Sequence, residues 1–195
     1  MIIKKDKQDT KLPEIAKEAV RLFVRQGVAA TTIRDIAQAA KVAEGTLYRH
    51  YASKEELARD LLVKNLTSFT EHLDIFVFAE AKLALQIAAL TRSFAEAYQK
   101  NEDLARFILF QHASELSGVP KKMRTPRHLI VDMLNRARKT GEIAKENDIE
   151  VLASLILGAL SQWLLGKAYG EIKGDLVDSA AQVSAALCRL LGVKS

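Results

Sequence analysis

The chain has 195 residues, 49% of them apolar and 27% charged, which suits a globular protein with a sizeable core. Its single cysteine, Cys188, excludes an intrachain disulfide and fits a reducing compartment. The net charge is +5, and residues 1–60 hold twelve Lys/Arg against nine Asp/Glu, a modest excess that suits a phosphate-bearing partner without requiring one.

The first residues, Met1-Ile2-Ile3-Lys4-Lys5-Asp6-Lys7, lack an apolar core of signal-peptide length. The longest apolar stretch, Val151 to Gly166, contains Ser154, Ser161 and Gln162 and falls short of the ~18–20 residues a bilayer needs. The expectation is a buried helix, no membrane partner and a cytoplasmic protein.

Three prolines and nine glycines leave room for long helices. The first is predicted from Leu12 to Gln26, with Pro13 in its first turn, Gly27 at its end, and Ile15, Ala19, Leu22 and Phe23 recurring at helical spacing. Thr32-Ile33-Arg34-Asp35 reads as a capping box opening a second helix, whose inner stripe is Ile33, Ile36, Ala37 and Ala40. A turn at Lys41-Val42 precedes a short third helix over about Ala43 to His50. Ser53-Lys54-Glu55-Glu56 is a second capping box, opening a long helix that reaches Phe76 or Phe78. Five further helices are predicted at about 80–99, 102–116, 126–140, 148–169 and 176–191, with Asn147 and Asp175 as N-caps of the last two. The fold class is therefore all-α, with about nine helices.

The informative stretch is Thr31 to Leu57. Two short helices flank a tight turn, and Val42 inside the turn pins them at a steep angle. Leu47 takes the inner face of the second, which turns Glu44, Gly45, Thr46, Tyr48, Arg49 and His50 outward. Hydroxyls and a ring N–H can donate to phosphate oxygens, and a glycine permits close approach. Lys54 and the free N–H groups of the next helix add a place for an anion. By periodicity alone, a helical hairpin in an ordinary bundle remains open.

The joint pattern goes further. Leu22-Phe23, Gly27, Thr31-Thr32, Ile36-Ala37, Ala40, Val42, Gly45-Thr46-Leu47-Tyr48-Arg49-His50-Tyr51 and Ser53-Lys54-Glu55-Glu56-Leu57 stand at the spacing of the TetR family signature, which residues 10–60 resemble. The resemblance implies an all-helical homodimer. Residues 8–68 would form a helix-turn-helix DNA-binding domain with its recognition motif at about 31–50. Residues 69–195 would form a domain that binds a small-molecule effector and dimerises. By family position, Thr32, Tyr48, His50 and Lys54 would hold phosphates, and Arg34, Glu44, Gly45 and Thr46 would face base edges. Two positions depart from the commonest pattern: Lys41 stands where glycine is frequent, and Ala43 where serine often caps the third helix.

A single recognition helix reads few base pairs, so the partner expected is double-stranded DNA with a palindromic operator, half-sites ~34–36 Å apart. Among the C-terminal residues, Phe94, Tyr98, Phe107, Gln111, His112 and Trp163 are candidates to line the effector pocket, although such aromatics are most often core. His72, His112 and His128 show no metal-ligand spacing, and no metal or cofactor is expected. Val151–Leu165 is apolar nearly all round, and 176–191 adds small residues at close spacing. Two copies of this pair would give a four-helix interface. The function expected is a transcriptional regulator, a repressor released from its operator by ligand. The alternatives are a DNA-binding or interaction protein without ligand sensing and an all-helical enzyme. The sequence holds no paired catalytic carboxylates, nucleophile elbow or glycine-rich phosphate loop.

Overall fold

The computed structural model describes residues 11–115, 120 and 122–193, with the side chains of 110–115 excepted. Among the described residues there are nine helices and no strand: α1 (Leu12–Ala30), α2 (Ile33–Ala39), α3 (Glu44–Tyr48), α4 (Lys54–Phe78), α5 (Leu83–Lys100), α6 (Glu102–Glu115), α7 (Pro126–Thr140), α8 (Ile149–Ala168) and α9 (Leu176–Leu190). The chain divides into two compact units. One holds α1 to α3, α4 as far as Asn65, and α6 from Arg106 on; the other holds Leu66–Ala105 and the chain from Pro120 on. Two helices, α4 and α6, therefore contribute residues to both.

In the first unit, α1 buries Ile15, Ala19, Val20 and Phe23 on one face. Gly27, at φ 83° and ψ 157°, breaks the helix where the sequence reading ends it, and one further turn, Val28 to Ala30, follows. Ile33, Ile36, Ala37 and Ala40 are all buried, as their spacing requires. Phe107 of α6 is also buried here. Its ring stacks on that of Phe23, centroids 5.8 Å apart and planes at 25°. The inner positions read from the sequence in this region, among them Ile15, Phe23, Ile36 and Leu47, do not include Phe107.

In the second unit α5 packs along α9, and α7 along α8. Leu83, Ile87, Leu90 and Phe94 stripe the buried face of α5. Two helix starts differ from expectation. α5 begins at Leu83 rather than near residue 80, because the Glu142 carboxylate accepts from the Leu83 N–H at 2.8 Å; a cap supplied 59 residues away leaves no local signal. α8 is capped by Asp148 rather than Asn147: Asp148 Oδ1 accepts from the N–H groups of Glu150 (2.9 Å) and Val151 (3.2 Å). Asp175 caps α9 as expected, accepting from the Val177 N–H at 2.8 Å.

α8 spans 20 residues, longer than the apolar run read from the sequence, and by length and composition it could cross a membrane. Its inner face, Ala153, Ile156, Leu160, Trp163 and Leu164, is buried within its own unit, as in a core helix. Its outer face, Val151, Ser154, Leu155, Gly158, Ala159 and Gln162, is exposed, with Val151 at 54% and Leu155 at 48%. On α9, Ala181, Ala186 and Leu190 are exposed too.

Candidate nucleic-acid interface

The reading head is assembled from short-range bonds. Thr32 caps α2: its hydroxyl accepts from the Asp35 N–H at 3.1 Å and donates to Asp35 Oδ2 at 2.7 Å, while the Thr32 N–H donates to the same oxygen at 2.9 Å. These bonds, together with the charges of Arg34 and Lys54, hold the Asp35 carboxyl below the usual carboxylate range. The hydroxyl proton of Thr32 is thus already committed to Asp35, and a phosphate would compete for it.

The turn after α2 closes through Lys41 N–H to Gln38 O (3.2 Å) and Val42 N–H to Ala37 O (3.0 Å). Lys41 sits at φ 54°, the left-handed region that glycine enters freely. For a lysine this stores strain of about 1–2 kcal/mol. Ala43 precedes α3 and supplies no side-chain cap. Both departures from the family pattern therefore have a visible local cost, and the turn forms nonetheless.

Leu47 is fully buried and anchors α3 to the core. Around it, Glu44, Gly45, Tyr48 and Arg49 are exposed, with Tyr48 at 56%, and Thr46 and His50 are half-buried. Arg34 is exposed on α2. Outside its own helix and chain neighbours, nothing lies within 4 Å of the position a Cβ would take at Gly45. Gly45 is the second residue of α3, and glycine loses more backbone freedom on ordering there than alanine would. Nothing in the chain's own packing asks for it there.

The first turn of α4 is capped by Ser53, which accepts from the Glu56 N–H at 3.1 Å. The return bond of the expected capping box is displaced by one residue: Glu56 Oε2 accepts from Ala52 N–H at 2.6 Å rather than from Ser53. Lys54 is half-buried, and its ammonium donates to the Ala29 carbonyl at the end of α1 at 2.6 Å. One of its three donors is thereby used inside the protein, and the Glu55 carboxylate lies 3.8 Å from the same ammonium, so an anion would compete with it for the charge. Sequence reasoning missed this tie, whose partners are 25 residues apart. It also missed the hydroxyl of Tyr51, which donates to Asp60 on α4 at 2.8 Å.

The candidate effector residues fall in both units. Phe94, Tyr98 and Trp163 are buried in the second unit, where Phe94 meets Phe69 edge to face at 5.0 Å. Phe107 belongs to the first unit, stacked on Phe23. The side chains of Gln111 and His112 lie outside the described residues.

Comparison with known proteins places this geometry. Residues 15–61 match the sequence model of the bacterial regulatory proteins of the tetR family. The chain is 30% identical over 151 residues to the HTH-type transcriptional repressor KstR2 of Mycobacterium tuberculosis, covering 73% of this chain and 74% of that one. Among solved structures, the fatty acid degradation regulator FadR of Bacillus halodurans has the same fold, with a TM-score of 0.80 at 19% identity over 94% of this chain and 97% of that one. FadR of Bacillus subtilis, in complex with stearoyl-CoA, gives 0.76 at 20% identity over 90% and 96%. The chain belongs to the TetR family of bacterial regulatory proteins and is a DNA-binding transcriptional regulator.

Proposed function

We propose that the chain is a cytoplasmic, homodimeric repressor without enzymatic activity, released from a palindromic operator by a small-molecule effector. The observation that carries the DNA-binding reading is Gly45. It is an exposed glycine in a helix anchored by a buried leucine, and no atom outside its own helix and chain neighbours stands near the space it leaves. A surface that must come very close to another molecule explains it. Around it stand Arg34, Glu44 and Thr46 for base edges, with Thr32, Tyr48, His50 and Lys54 toward the groove walls.

The DNA-binding domain in this reading is residues 8–68 and the effector and dimer domain residues 69–195. The exposed apolar face of α8 and the small residues of α9 support a second copy as the cover, since such a face in water is unfavourable. The effector would bind better to the arrangement of the dimer that does not fit the operator, and so draw the population away from DNA. The stearoyl-CoA seen in a structural relative makes acyl thioesters the first effectors to try. Selection from a random duplex pool with the purified chain tests the reading: it should enrich an inverted repeat, and an unenriched pool would refute it.

A further inference from the structure

The reading helix α3 is only five residues long and cannot hold its own orientation. Leu47 anchors one side of it. Just after its C-terminal end, the Tyr51 N–H donates to the Leu47 carbonyl at 2.9 Å, and the Tyr51 hydroxyl reaches α4, donating to Asp60 Oδ2 at 2.8 Å. Lys64 Nζ donates to the same oxygen at 2.8 Å, a second bond that holds the carboxylate. One turn and a half earlier on α4, Lys54 ties the helix to Ala29. The start of α4 is thus bonded to α1 by one side chain and to the end of α3 by another.

Asp60 is at first sight misplaced. It is an acid on the unit that would approach a polyanion, and removing its charge should tighten DNA binding on electrostatic grounds alone. We propose that Tyr51 and Asp60 form a positioning pair for operator binding: their hydrogen bond sets the pose of α3 against α4, and neither residue touches DNA. The proposal rests on the DNA-binding reading above. Burial, then the bond to Asp60, pushes the Tyr51 hydroxyl up to about 12, so it stays a donor through the neutral range.

The test uses full-length chains and a duplex enriched by the parent protein, titrated at several salt concentrations. Asp60→Leu removes the acceptor and should bind roughly threefold to tenfold more weakly, although it has lost a negative charge. Asp60→Asn keeps an oxygen that can accept and should bind at least as tightly as the parent. Tyr51→Phe keeps the ring and should lose about as much as Asp60→Leu; the double variant Tyr51→Phe/Asp60→Leu should lose no more than either. Without DNA, amide exchange of residues 47–51 should speed up in Tyr51→Phe while α1 stays unchanged. Asp60→Leu binding as well as or better than the parent would overturn the proposal, as would additive losses or unchanged exchange at 47–51. If the parent enriches no duplex, the DNA-binding reading falls and takes the proposal with it, whatever the exchange shows.

Discussion

Phe23 of α1 and Phe107 of α6 stack in the core of the unit that carries the helix-turn-helix, each only 1% exposed. A residue far along the chain thus completes the core of an N-terminal domain. Phe107→Ala should cost about 3–5 kcal/mol by emptying a packed site. Urea denaturation of the full chain followed by helical signal measures this. A fragment ending at Leu66 lacks Phe107 and should unfold at markedly lower urea than the same residues do in the intact protein.

Lys54 and Tyr48 separate by their effects. Lys54→Ala should lose both the bond to Ala29 and a cation facing DNA. It should therefore lower the melting temperature and flatten the log–log salt dependence of binding by roughly one unit. Tyr48→Phe, at an exposed position, should leave stability unchanged and weaken binding nearly uniformly across sequences. Arg34→Ala and Thr46→Ala should instead relax preference at one position per half-site, at about 1–3 kcal/mol on the preferred base. Titration of operator variants at several salt concentrations distinguishes the patterns.

A charge on the outer face of α8 or α9 should break the proposed dimer. Ala159→Glu and Ala181→Glu both alter exposed positions, so neither should disturb the chain's own core. Light scattering at micromolar concentration should give twice the chain mass for the parent and a lower mass for the variants. A parent that scatters as a monomer would remove the interface.

Asp35 makes the first helix start of the motif acid-sensitive. Its folded carboxyl lies below the ordinary range, so its contribution is complete above the unfolded value and fades as pH falls through the depressed folded one. Acid unfolding followed by circular dichroism should show a smaller loss of stability with falling pH for Asp35→Asn than for the parent. Equal pH dependence would show that the bonds to Thr32 contribute nothing.

Much of this was legible because it is local. The Thr32–Asp35 box, the break at Gly27, the buried stripe of α2 and the anchor Leu47 each declare themselves within a few residues. What was not legible depends on partners distant in the chain. Glu142 decides where α5 begins, Phe107 completes a core 84 positions from Phe23, and Lys54 turns toward Ala29. Asn147 and Asp148 are both good cap residues, and it is Asp148 whose carboxylate accepts from the first N–H groups of α8. The candidate effector residues were hardest, since an aromatic at helical spacing looks the same whether it packs a core, as Phe107 does, or faces a ligand.

Gly45 is an exposed glycine that the proposed close approach of DNA would explain. Gly45→Leu tests this most directly, because a Cβ there meets no atom outside its own helix and chain neighbours within 4 Å, and leucine replaces a poor helix former with a good one. The variant should melt no lower than the parent, and it should lose at least roughly tenfold in affinity for the selected duplex, a factor that corresponds to 1.4 kcal/mol. A variant that melts as high as the parent and binds that duplex with equal affinity would contradict the assignment of this face of α3 to DNA.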